Sequence, residues 1–291
     1  MSGDQPLNAF SVDVEDFFHV SAFEHLIRAE DWPAFESRVE RNTRRLLELL
    51  DRFEIRSTMF VLGWVAERSP ELVREIQAAG HELAVHGYSH RRVTDLSPDE
   101  FRADVRRAKR IVEDLAGVVV EGYRAPTYSI VKRTLWAAEI LLEEGFTYDS
   151  SIFPIRHDRY GIPDAPRFPW VLLQQNGSRL IEFPISTVRL LGTNLPFVGG
   201  GYMRLLPAAY VRWGMRRLNR SGRPAIVYTH PWEIDPDQPR QPVGPFTRWR
   251  HYGNLSSTEG RLADLFERFR FGTVREVLAN ADLLPEGALA S

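Results

Sequence analysis

Apolar and polar positions along this chain follow two periods, and the switching between them predicts its architecture. Short runs rich in β-branched and aromatic residues at 10–14, 56–62, 82–85, 118–123 and 225–229 predict strands. Between and after them, apolar residues at helical spacing predict helices over 35–53, 69–80, 97–117, 133–145 and 207–219. A last helical stretch over 258–280 carries Leu262, Leu265, Phe266 and Phe269 on one face. The punctuation agrees with the periods. Ser69-Pro70 opens one helix with proline at its first position and Gly80 closes it, while Ser97-Pro98-Asp99-Glu100 has the form of a capping box. Strand–helix alternation of this kind predicts an α/β fold of βα units around a parallel sheet, with the chemistry gathered at the C-terminal strand ends as in α/β barrels.

Two segments break the rhythm. Prolines at 154, 163, 166, 169, 184 and 196 and the Gly199-Gly200-Gly201 run predict long ordered loops over 151–205, an insertion rather than a separate domain. The Pro- and Arg-rich stretch 235–252 also reads as loop. The expected organisation is therefore a barrel over 8–232 with that insertion, followed by a C-terminal extension over 233–291 packed on the barrel.

Composition narrows the function classes. The 291 residues are 43% hydrophobic, ample for one large core, and carry a net charge of −2 with acids and bases interspersed. No nucleic-acid footprint is visible, and the basic cluster at 212–223 reads as a solvated helix face. Cysteine is absent, so a bound zinc would have only N and O ligands. The first residues lack a basic, then apolar, leader and no run of 18 apolar residues occurs, so the expected location is cytoplasmic, with no transmembrane segment. Nothing in the pattern fixes an oligomeric state.

The candidate chemistry lies at two strand ends. His86 and His90, four residues apart after an apolar strand, have the spacing of a metal grip, and Asp13, Glu15 and Asp16 crowd the end of the first strand. Like charges this close call for a cation. Strand alternation puts Asp13 and Glu15 on one face, so Glu15 can serve as the third ligand, while Asp16 can do so after a bend. His19, His25, His157 and His251 read as ordinary polar residues, and His81 as a local hydrogen-bonding group.

Taken in order, Asp13 after a strand, His86-x-x-x-His90, Arg124-x-Pro126, Tyr148-Asp149-Ser150 and Ile226-Val227-Tyr228-Thr229-His230 resemble the five motifs of the NodB-homology polysaccharide deacetylases, carbohydrate esterase family 4. The texture around them looks most like the branch near peptidoglycan deacetylases and PuuE-type allantoinases. Gly199-Gly200-Gly201-Tyr202 and His230-Pro231-Trp232-Glu233 resemble deacetylases linked to exosortase and exopolysaccharide clusters.

The resemblance implies a distorted (β/α) barrel and hydrolysis of N-acetyl groups on the amino sugars of a polysaccharide, an exopolysaccharide or its precursor, assisted by a divalent metal. Zinc is the first expectation, with cobalt or nickel as alternatives. It implies His86, His90 and one of Glu15 and Asp16 as ligands, Asp13 as general base, His230 as general acid, Arg124 as partner of Asp13, and Asp149 as the group that orients His230. A backbone N–H near Thr127 or Tyr128 would help hold the oxyanion. Tyr128, Tyr202 and Trp232 are the expected substrate contacts, with burial as the plain alternative for the aromatic rings and a simple turn for the glycine run. Two other classes stay open here: a cyclic-amide hydrolase of the PuuE allantoinase type and a non-catalytic carbohydrate-binding relative.

Overall fold

The computed structural model describes residues 5–284. The first four residues and the final seven of the expected C-terminal extension lie outside them. In chain order the elements are β1 (Asn8–Val14), α1 (Val39–Arg52), β2 (Thr58–Val61), α2 (Gly63–Arg68), α3 (Pro70–Ala78), β3 (Glu82–Val85), α4 (Pro98–Ala116) and β4 (Gly122–Tyr123). They continue with α5 (Ala137–Glu143), β5 (Tyr148–Asp149), β6 (Trp170–Gln175), β7 (Ser178–Glu182), β8 (Thr187–Leu190), β9 (Thr193–Pro196) and α6 (Gly200–Leu205). The last are α7 (Ala208–Arg220), β10 (Ile226–Thr229), α8 (Pro245–Tyr252), α9 (Thr258–Arg268), β11 (Phe271–Gly272) and α10 (Val274–Ala279).

Seven parallel strands run in the order β10-β1-β2-β3-β4-β5-β7, with β6 added antiparallel at the β7 edge and β11 paired beside the start of β1. No ladder joins β7 to β10 among the described residues. A side chain spans the gap instead, the Ile226 N–H donating to Ser186 Oγ at 2.8 Å. This is the distorted barrel that the sequence predicts.

Period two sorts each strand between two cores. Phe10, Val12, Val14, Met59, Val61, Leu83, Val85 and Val227 face the helices α1 to α5, whereas Ala9, Phe60, Ala84, Ile226 and Tyr228 face inward. Continuing the inward register along β1, β3 and β10 reaches Asp13, His86 and His230 at the strand ends. A third apolar cluster, built from Phe17, Phe18, Phe23, Ile27, Trp32, Trp232, Tyr252 and Leu255, walls that end.

Several elements depart from the sequence reading. The 151–205 segment is not only loop: it folds into β6 to β9 and α6, and its β7 completes the parallel sheet. The prolines hid this because the strands lie between them. The 235–252 stretch contains α8, opened by Pro245 at its first position. Helix 258–280 is interrupted where Phe271 and Gly272 pair with β1, and the α10 that follows packs Val274, Val277 and Leu278 against the inward core. The C-terminal segment therefore supplies part of the barrel's filling: Val274 N–H donates to Thr58 Oγ1 at 2.8 Å from beneath β2.

Gly122 on β4 shows how tight the interior is. A Cβ there would collide with the Tyr148 ring, and Tyr148 is fully buried with its hydroxyl donating to Glu82 Oε1 at 2.6 Å. The ring has nowhere to swing. Gly122→Ala is expected to lower stability by about 2 kcal/mol or more, read as a drop in the thermal unfolding midpoint. An unchanged midpoint would contradict this packing.

Candidate metal centre

The site is built from strand ends upward. β1 ends at Val14, and a tight turn in which Glu15 N–H donates to Asp13 O at 3.0 Å carries Glu15 past the strand. The turn brings Glu15 to the histidines. Its Oε2 lies 2.6 Å from His90 Nε2 and 3.9 Å from His86 Nε2, and one ligand atom from each of the three residues falls within 4.8 Å of the others.

These groups fit a cation better than they fit one another. Glu15 Oε2 is buried without a hydrogen bond, its approach to His90 lacking the necessary angle, as two donors to a shared ion would. His86 Nδ1 donates to the Arg124 carbonyl at 2.9 Å, which leaves a bare lone pair on Nε2. Burial lowers His86 to about 4, keeping it neutral as a metal ligand must be. Burial alone would raise the Glu15 carboxyl, yet the histidines, His90 foremost, hold it well below the usual carboxylate range.

Asp16 is committed elsewhere. Its Oδ1 accepts from Phe17 N–H at 2.9 Å, and its Oδ2 accepts from Ser37 Oγ at 3.0 Å, Arg38 N–H at 2.6 Å and Val39 N–H at 3.0 Å. The carboxylate staples the 17–19 turn to the start of α1. Of the two acids left open by the sequence, Glu15 is the one that meets the histidines.

Asp13 stands beside this cluster. Arg124, fully buried, donates to Asp13 Oδ1 at 2.6 Å, to Ser11 Oγ at 2.9 Å and to the Ser150 carbonyl and hydroxyl at 3.1 and 3.0 Å. The expected Arg124–Asp13 pair is present. His230 arrives at the end of β10, with Nε2 3.8 Å from Asp13 Oδ2 and 3.7 Å from Glu15 Oε1.

The expected partner of His230 is not there. Asp149 hydrogen-bonds Ser151 and lies against Glu182, and no contact joins it to His230. Glu233 takes the position, its Oε1 2.5 Å from His230 Nδ1. The reason is local: a turn after β10 folds Pro231–Ile234 back so that the residue three beyond the histidine returns to it. An acid at that spacing after a strand-end histidine is the signal that the sequence reading passed over. Burial acts to lower His230, but the Glu233 contact outweighs it and lifts the imidazole to about 9.

The aromatic residues are mostly structural. Trp232 is buried, stacks on His230 at 5.0 Å and donates from Nε1 to Glu15 Oε1 at 3.3 Å, so it braces both groups instead of standing at the rim. Tyr128 is also buried, packed on Tyr228 and Phe153. Tyr202 is half-buried with its ring edge-on to Phe153. The Tyr128 N–H is spent on the Ala125 carbonyl at 3.0 Å, although Thr127 and Tyr128 both take left-handed backbone (φ 57° and 53°), a strain that clusters at functional sites. Gly199 (φ 82°) lies against the Tyr228 ring and opens α6, so the glycine run serves close packing. His19, read as ordinary, accepts the Asp16 N–H at Nδ1 and belongs to the same wall as Trp32 and Trp64.

The chain is similar to known proteins in sequence and in fold. The profile of the family described as Polysaccharide deacetylase matches residues 30–142, and that of a Domain of unknown function (DUF3473) matches 150–279. A peptidoglycan-N-acetylglucosamine deacetylase of Bacillus cereus is 33% identical over 98 residues, 33% of this chain and 36% of that protein. A peptidoglycan deacetylase of Helicobacter pylori is 32% identical over 108 residues, 37% of this chain and 36% of that protein. The chain thus matches about a third of the length of these relatives. Among solved structures, a Mycobacterium smegmatis protein described as a polysaccharide deacetylase superposes with TM-score 0.64 at 21% identity over 98% of this chain and 94% of that one. PuuE allantoinase superposes equally well, TM-score 0.64 at 16% identity over the same shares. At these identities the superpositions establish the fold. No helix among the described residues is long and apolar enough to cross a membrane.

Two substitutions test the assignments around the centre. Asp16→Ala should strand the N–H groups of Phe17, Arg38 and Val39, lowering stability by about 2 kcal/mol or more while binding of an added divalent metal holds. Loss of metal with unchanged stability would reverse the roles of Asp16 and Glu15. Burial raises Glu182 well above 4.5, and burial likewise raises its neighbour Asp149 to about 6. A carboxyl raised in the folded state contributes stability below its unfolded pKa and loses it as pH climbs. The pair's share of the stability should therefore be lost as pH rises from about 4 through 6 and beyond, and Glu182→Gln should gain melting temperature relative to the wild type as pH climbs over that range. Parallel profiles would show that the pair carries no such proton.

Proposed function

We propose, on the premise that the chain belongs through residues 30–142 to the NodB-homology family of polysaccharide deacetylases, that it hydrolyses N-acetyl groups from the amino sugars of a polysaccharide. The observation that carries this reading is the convergence of three potential metal ligands, Glu15 and His86 buried and His90 half-buried, with a clamped carboxylate and an oriented imidazole at one rim. The relatives named above support a peptidoglycan-like N-acetylhexosamine polymer as the substrate class. The Gly199-Gly200-Gly201-Tyr202 and His230-Pro231-Trp232-Glu233 signatures favour an exopolysaccharide or its precursor within that class.

Glu15, His86 and His90 would hold a divalent ion, zinc as the first expectation, which when bound supplies Lewis acidity toward the acetyl carbonyl and toward water. The remaining steps belong to side chains. Asp13, fixed by Arg124, accepts the proton of the attacking water as its oxygen bonds to the acetyl carbon. As the C–N bond breaks, the amine nitrogen takes a proton from His230 Nε2, and acetate departs. An amine is too basic to leave unprotonated, and the Glu233 contact that favours the protonated imidazole suits His230 to this task. Glu15 takes its place beside Asp13 because the turn after β1 sets the two carboxylates toward the same histidine.

Acetate release from N-acetylglucosamine oligomers, with allantoin as the comparison substrate and metal measured on the same preparations, tests this reading. His86→Ala should lose both stoichiometric metal and activity, whereas His230→Gln should keep the metal and lose about 10²- to 10⁴-fold in kcat. Allantoin turnover without acetate release would replace the reading. Full acetate release by either variant would remove that residue's role.

A further inference from the structure

We propose that the segment matched by a profile of unknown function completes the proton-donor half of this site: Arg204 on α6 clamps Glu233, and Glu233 holds His230 with Nε2 turned toward Asp13 and Glu15. Segment 150–279 contains all three residues. The inference takes from the hydrolase reading what His230 does, but how His230 is held stands on geometry alone.

The two oxygens of Glu233 have separate tasks. Oε1 is 2.5 Å from His230 Nδ1, while Oε2 accepts from Arg204 Nε at 2.6 Å. Glu233 is fully buried and Arg204 is 1% exposed, so neither charge has water to fall back on. Arg204 is fixed in turn by its other nitrogens, Nη1 donating to the Gly253 carbonyl at 2.6 Å and Nη2 to the Arg250 carbonyl at 3.1 Å, both at the end of α8. Asn254 Nδ2 closes the loop on the Arg204 carbonyl at 2.9 Å. Thus α6 and the α8 terminus are tied to the turn after β10 through one carboxylate.

A purely architectural ion pair would need only the Arg204 side of this arrangement. Here the second oxygen reaches the imidazole whose Nε2 lies 3.8 Å from Asp13 Oδ2, and Trp232, stacked within 19° of the His230 plane, limits rotation of the same ring. Because a carboxylate can only accept, the proton on Nδ1 is required, and Nε2 is the nitrogen left for exchange with substrate. Burial works against ionising Glu233, and the Arg204 charge leads the contacts that keep its carboxyl below its ordinary value. Glu233 and Arg204 are positioning residues, acting through His230 without touching substrate.

Glu233→Gln and Arg204→Met in the full-length, zinc-loaded protein test the proposal by two routes. Steady-state kinetics on N-acetylglucosamine oligomers should show kcat lowered about 10²-fold or more with KM unchanged and metal content intact. Proton NMR should show in the wild type a low-field Nδ1–H resonance, assigned by its absence from His230→Gln, that moves upfield in Glu233→Gln. An unshifted resonance in Glu233→Gln, unchanged kcat, or a kcat loss that only tracks the folded fraction by circular dichroism would overturn the inference. Should the wild type release no acetate, the hydrolase reading fails while the resonance still decides how His230 is held.

Discussion

The fully buried guanidinium of Arg124 is the interaction on which the rest of the rim depends. It reaches Ser11 and Asp13 on β1 and both the carbonyl and hydroxyl of Ser150 after β5, while its plane lies 4.0 Å over the Phe60 ring of β2. A buried ion pair is a poor source of net stability, because desolvating both charges offsets their attraction. Its value here is geometric: one side chain sets the spacing of three strand ends and fixes the carboxylate next to the histidine cluster. The Arg124 carbonyl also accepts from His86 Nδ1, so the same residue aims a candidate ligand. Asp13, His86 and the frame between them are thus one connected unit.

A second unit of similar construction faces it. Arg204 and Glu233, both buried, and the half-buried His230 form a chain whose members come from the insertion and from the turn after β10. The two arginines do not touch the same groups, yet each turns a carboxylate toward the gap between β1 and β10. The strands that carry these carboxylates are hydrogen-bonded neighbours, with Val12 opposite Thr229. That pairing brings the N-terminal acids and the late histidine within 4 Å although more than 200 residues separate them in sequence.

Much of this was legible in the residues. Period-two alternation located β1, β2, β3 and β10, and the inward register that ends in Asp13, His86 and His230 follows from it without further information. The capping box at Ser97 and Glu100 is present as read. What escaped the sequence reading depended on bends and on distance. The choice between Glu15 and Asp16 is made by a turn after Val14 and by three donors from the start of α1, which no local pattern announces. Asp149 lost its expected role because Ser151 and Glu182 engage it, and Glu182 sits on a strand hidden among prolines. Glu233 could have been noticed from its spacing to His230; Arg204 could not, because only the folded insertion brings it there.

The central claim is that Glu15, not Asp16, joins His86 and His90 around a divalent ion. Anomalous scattering at the zinc edge from crystals grown with zinc tests it most directly. A single strong peak bounded by the Glu15 carboxylate and the two Nε2 atoms is expected, with Asp16 still bound to the N–H groups of Arg38 and Val39. A peak against Asp16, or none between His86 and His90, would contradict it.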